Sequence, residues 1–151
     1  NASDRIVCPG LIDLCARVRS PGADSAYALE KELQSAVAGG ITRLVCPPDT
    51  MPVIDMPATA RLEQDLAAEI GLARVHPIAA MTHNLEGEKI TDMAMLTEAG
   101  CVGVGNALKP IADTLVLRRA MQYASTYDIK VFLTPFDPYL LGNGCLHEGA
   151  L

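Results

Sequence analysis

An α/β fold built on a parallel sheet is what this chain predicts, and three observations predict it. Short apolar runs alternate with stretches of helical periodicity, most of the helical stretches end at glycine, and the pair recurs roughly every 25–30 residues. Residues 6–16 (IVCPGLIDLCA) read as the first strand, interrupted at Pro9-Gly10 and resumed at Leu11, with a Pro21-Gly22 turn soon after. From Ser25, the positions Ala28, Leu29, Leu33, Ala36 and Val37 fall at helical spacing, and Gly39-Gly40 stops the helix. Ile41–Cys46 is the second strand, followed by a loop holding Pro47, Pro48 and Pro52. A helix over 58–70 carries Leu62, Leu66 and Ile70 on one face and ends before Gly71. Next come a strand over 75–81 and a helix over 91–99, capped by Thr91 or Asp92 and stopped by Gly100. A strand over 101–104, a helix over 112–127 and a strand over 129–133 complete five strands and four helices. Parallel neighbours joined by helices require right-handed crossovers.

Periodicity leaves two architectures open, a doubly wound open sheet and the first half of a (β/α)8 barrel. The phosphate-binding G-x-G-x-x-G does not follow the first strand, and Gly103-Val104-Gly105 lacks the third glycine. Composition narrows the partners. Among 151 residues, half are apolar and a fifth charged, which suits a packed globule; 12 Lys and Arg against 18 Asp and Glu give a net charge of -6. Such a field disfavours nucleic acid and anionic membrane as partners. No apolar stretch has the length of a spanning helix, and no basic segment leads into an apolar one at the start, so a cytoplasmic location is expected. The five cysteines include no C-x-x-C pair and read as reduced thiols, mostly in the core.

Several motifs stand in order along the chain. Cys8 to Gly22 reads C-P-G-L-I-D-L-C-A-R-V-R-S-P-G, and Ala38 to Asp55 reads A-G-G-I-T-R-L-V-C-P-P-D-T-M-P-V-I-D. Leu85 to Gly100 (L-E-G-E-K-I-T-D-M-A-M-L-T-E-A-G), Lys109 to Asp113 (K-P-I-A-D) and Phe136 to Pro138 (F-D-P) follow. Together they resemble dihydroorotases and related cyclic amidohydrolases, whose motifs run P-G-x-I-D-x-H-x-H-x-R-x-P-G, A-G-G-x-T-x-x-x-x-M-P-N-T-x-P-x-x-D and H-x-E-D-P. The resemblance covers nearly the whole chain and implies a (β/α)8 amidohydrolase barrel with zinc at the C-terminal mouth of its strands.

The departures from that pattern fall on the site. The two histidine positions at the end of the first strand hold Cys15 and Arg17. A thiolate can bind zinc, but a guanidinium has only donors and stays charged, so Arg17 repels a cation. The histidine of the fifth-strand motif is Thr134, and the acidic turn of many relatives is Gly105 to Leu108, with Asn106 and Ala107 where carboxylates stand. Cys15, Arg17, Asn106, Ala107 and Thr134 are therefore vestigial metal-site positions, and no metal or other cofactor is expected. On the substrate side, Arg19 matches the arginine that holds the substrate carboxylate, while Asp49 replaces an asparagine and puts an anion beside a site for an anion. Cys15 is expected to pack as a small apolar residue. Arg17 either pairs with Asp13 or Asp49 or lies solvated at the rim; His83 reads as a loop hydrogen-bonder and His76 as structural.

The resemblance is strongest to the dihydroorotase-like chain that has lost its metal ligands and serves as a structural partner of the aspartate transcarbamoylase catalytic chain in pyrimidine biosynthesis. Two alternatives stay open. One is an active cyclic amidohydrolase with Cys15 as nucleophile beside Arg17 and Arg19; the other is a small-anion sensor that keeps Arg19. A full barrel takes about 250 residues, so the 151 residues are expected to be one fragment of the barrel domain. Residues 1–7 read as an expression remnant and the end of a missing small β domain. Open sheet edges on such a fragment lead to an expectation of self-association into a homo-oligomer.

Overall fold

Five strands lie side by side in chain order, every neighbouring pair parallel, and the sheet curls into half of a barrel. They are Leu11–Asp13 (β1), Ile41–Cys46 (β2), Arg74–Ala80 (β3), Gly103–Gly105 (β4) and Val131–Phe132 (β5). Four α-helices connect them: Ser25–Ala38 (α1), Pro57–Ile70 (α2), Met93–Glu98 (α3) and Thr114–Thr126 (α4). The computed structural model describes residues 6–18, 25–135 and 137, with the side chains of 25–27 left aside.

The helices cover the outer face, where alternate strand residues meet them. Leu29 and Leu33 of α1 close on Leu44 and Cys46 of β2, Val75 of β3 and Ala67 of α2. A second cluster joins Ala60 of α2, Ala79 and Met81, Met93 and Leu96 of α3, Val104 of β4, and Ala120 and Ala124 of α4. Since side chains alternate along a strand, Arg43, Val45, Arg74, His76 and Ile78 face the other way, toward the inside of the curl.

Sequence boundaries shift where a cap or a packing contact decides them. α2 starts with Pro57 in its first turn and ends at Gly71, whose φ of 71° lets its N–H return to the Ala67 carbonyl at 3.2 Å. Asp92, and not Thr91, caps α3 by accepting from the Met95 N–H at 3.2 Å. Asp113 accepts from the Leu115 and Val116 N–H groups at 2.8 and 3.3 Å, so α4 begins after it. The predicted first strand over 6–16 shrinks to three residues, with a register irregularity between Leu11 and Ile12. Of the proposed remnant at 1–7, residues 1–5 lie outside the described residues, while Ile6 and Val7 are exposed and belong to no strand. The Gly103-Val104-Gly105 sequence serves packing: a Cβ on Gly103 would stand 2.6 Å from the Lys130 carbonyl oxygen, and one on Gly105 would overlap the Phe132 carbonyl. These glycines let β5 and the Phe132 ring close over β4.

Candidate functional site

The C-terminal ends of the five strands form the mouth of the half-barrel, and the loops that leave them carry nearly every position singled out in the sequence. Four of the five positions that the resemblance aligns with the family's metal site, Cys15, Arg17, Ala107 and Thr134, line one cleft of about 220 Å³ together with Ile78 and Phe132. The fifth, Asn106, is turned away and buried.

Arg17 and Asp49 bridge the loops after β1 and β2 through a charge-assisted hydrogen bond from Arg17 Nη1 to Asp49 Oδ2. Of the readings open for Arg17, pairing with Asp49 is the one the structure adopts. Asp13 is engaged otherwise, accepting from the Cys15 N–H at 2.9 Å. Both partners of the ion pair are partly exposed, 47% for Arg17 and 29% for Asp49, which puts its contribution to stability at about 0–1 kcal/mol. Cys15 corrects the sequence reading: the cysteine expected to pack in the core is exposed on the cleft wall, whereas Cys46 and Cys101 are buried. The reason lies in the short β1, which ends at Asp13 and leaves Cys15 in the loop beyond the sheet. Thr134 donates to the Ala107 carbonyl at 3.2 Å, tying the loop after β5 to the loop after β4. Arg19 lies outside the described residues.

Asn106 has a different task. Its Oδ1 accepts from Thr82 Oγ1 at 2.8 Å, and its Nδ2 donates to the carbonyls of Leu85 at 3.3 Å and Lys109 at 3.0 Å. Thr82 Oγ1 in turn accepts from the Gly87 N–H at 3.0 Å, and Thr91 Oγ1 donates to the Ala80 carbonyl at 2.6 Å. This buried network clasps the loop after β3 to the loop after β4. It also holds Asn84 and Leu85 at positive φ, 51° and 61°, a conformation that a leucine adopts only when its surroundings fix it. Sequence reasoning misses Thr82 and reads Thr91 only as a helix cap; the one sign is a threonine directly after the apolar run that ends at Met81. His83 is a loop hydrogen-bonder, as expected. Its Nδ1 stands 3.4 Å from Asp55 Oδ2, which also accepts the Asn84 N–H at 3.1 Å. His76 lies on the inner face of β3, its pKa lowered by burial and by the charges of Arg43 and Arg74.

The mouth offers a thiol, a guanidinium already bound to a carboxylate, a methyl group and a hydroxyl. Among the described residues, no three His, Cys, Asp or Glu side chains stand close enough together to hold a metal ion. That donor set does not fit zinc, which takes three or four His, Cys or carboxylate ligands.

Comparison with known proteins agrees with the motifs. Residues 4–151 match the family described as dihydro-orotase-like. The chain is 43% identical over 144 residues to a dihydroorotase-like protein of Pseudomonas aeruginosa and 42% identical over 146 residues to one of Pseudomonas putida. It is 38% identical over 149 residues to a dihydroorotase of Pelobacter propionicus. These alignments cover 95%, 97% and 99% of this chain but 34%, 34% and 35% of the relatives, so the chain spans about a third of their length. With its motifs, its parallel half-barrel and this match in agreement, the chain belongs to the dihydroorotase-like family.

Proposed function

We propose that this chain is part of a dihydroorotase-like subunit that has given up metal-dependent hydrolysis and serves pyrimidine biosynthesis in the cytoplasm as a structural partner of the aspartate transcarbamoylase catalytic chain. The observation that carries this reading is the Arg17–Asp49 pair across the mouth. Hydrolysis of a cyclic amide by the family depends on a cation that lowers the pKa of a bound water and polarises the carbonyl. At the same mouth, Arg17 supplies a fixed positive charge with no open coordination position, and Asp49 cancels that charge where an anionic substrate needs a donor. The relatives named dihydroorotase-like, at 43% and 42% identity, lend the reading support beside the named dihydroorotase at 38%.

Two measurements on the full-length protein test it. Less than about 0.1 equivalent of zinc and no turnover of dihydroorotate are expected, together with co-elution with the transferase catalytic chain at micromolar concentration. Stoichiometric metal with turnover refutes the loss of chemistry, and failure to associate refutes the partner.

The exposure of Cys15 favours a second reading, a hydrolase that uses the thiol as its nucleophile. Against it stands Asp49, which offsets the one cation described beside that thiol. Rapid alkylation of Cys15 that abolishes a measurable ring-opening activity would favour this reading over the first.

A further inference from the structure

Below the mouth, the inner face of the sheet changes character. Arg43 of β2 and Arg74 of β3 stand opposite each other in register, so two guanidinium groups project side by side from the same face. His76 follows Arg74 on that face, two residues toward the mouth. Neither arginine has an ion-pair partner among the described residues, and both are exposed. The Nε2 atom of His76 is buried without a hydrogen-bond partner among them. Like charges opposite each other on adjacent strands destabilise a sheet, and this pair sits in a protein whose net charge is -6.

Parallel sheets are covered on both faces, and a barrel interior is filled with side chains. This sheet has helices on the outer face only, and beyond Arg43, Arg74 and His76 its inner face continues into the apolar Ile78 and Phe132. Both outer edges, at β1 and at β5, lack a neighbouring strand among the described residues. Whatever covers the face removes two cations from water, and buried cations are tolerated only when paired. We propose that the inner face is a docking surface for a carboxylate-bearing segment of the same polypeptide, which lays acidic side chains across the Arg43–Arg74 pair. Two observations identify the occupant: the charge it must complement, and relatives of which this chain spans only 34–35%. The same acid gives His76 Nε2 an acceptor. This inference stands apart from the loss of catalysis, since an active barrel needs the same cover.

The sign of one substitution in the full-length protein tests the acid. Opposite a carboxylate, Arg43→Glu lowers the melting temperature more than Arg43→Met does, and Arg43→Lys restores most of it. Without an acidic cover, Arg43→Glu gains a partner in Arg74 and is the more stable variant, which overturns the proposal. Phenylglyoxal labelling with peptide mapping in phosphate-free buffer tests the occupant independently of folding. Arg43 and Arg74 are expected to react at least tenfold more slowly than the exposed Arg61 of α2, unchanged over a hundredfold dilution. Equal rates, protection lost on dilution, or protection that appears only with added inorganic phosphate each overturn it.

Discussion

The two halves of the mouth use the positions singled out in the sequence in opposite ways. At β1 and β2, Cys15, Arg17 and Asp49 stand in a solvent-open cleft and make one exposed ion pair. At β3 and β4, Asn106 is buried and uses both ends of its amide in a network with Thr82 and two loop carbonyls. Both regions sit where the family resemblance puts metal-site residues, yet only the second carries structural weight. Burial makes the difference. An exposed pair exchanges its bonds with water at little net gain, whereas an unmet buried amide costs its full desolvation.

The largest effect expected comes from a group that takes the contrast to its limit, a carboxyl buried with no hydrogen-bond partner among the described residues. Glu63 of α2 is fully buried, neither carboxyl oxygen has a hydrogen bond among the described residues, and burial pushes its pKa up from 4.5 to about 8. The folded protein therefore keeps a proton that the unfolded chain releases. Its contribution to stability is complete below pH 4.5 and is lost as pH rises toward about 8, by up to about 1.4 kcal/mol per pH unit within that window. Urea unfolding across that range measures this slope, and Glu63→Gln is expected to remove it. A variant with the same slope as the parent would place the titration elsewhere.

Asn106→Ala comes next. It leaves the Thr82 hydroxyl and the Leu85 and Lys109 carbonyls without their partner, at an expected cost of about 2–4 kcal/mol. Hydrogen exchange should speed up over 82–91 and 106–109 together, since both loops hang on one amide. Thr82→Val, which removes one donor and one acceptor while keeping the shape, should cost about 1–3 kcal/mol. At the other half of the mouth, a double-mutant cycle on Arg17→Met and Asp49→Asn is expected to give a coupling of about 0.2–1 kcal/mol that fades with salt. A coupling of several kcal/mol there would erase the contrast between the two halves.

How far the site was legible followed the same division. Cys15, Arg17, Ala107 and Thr134 stand out together by motif position, and the fold gathers them into one cleft. Asn106 departs from the family motif in plain view, but its role depends on Thr82, 24 residues away, and on carbonyls that spacing does not reveal. The expected burial of Cys15 failed because the apolar run over 6–16 overstates β1, and strand length is fixed by pairing with β2. Gly103 and Gly105 read as a faint phosphate loop, while their purpose is the approach of Phe132 from the next strand.

The sequence by itself determined the order of strands and helices, the parallel class and the family. Periodicity, glycine stops and ordered motifs are properties of neighbouring residues, and they act before the chain is packed. Only the tertiary structure decided that Asn106 is buried in a network while Cys15 is exposed, that Arg17 takes Asp49 and not Asp13, that Glu63 is buried without a hydrogen-bond partner among the described residues, and that Arg43 meets Arg74. Each of these depends on residues distant in the chain coming within a few ångströms. Burial and charge then set energies that no local pattern encodes.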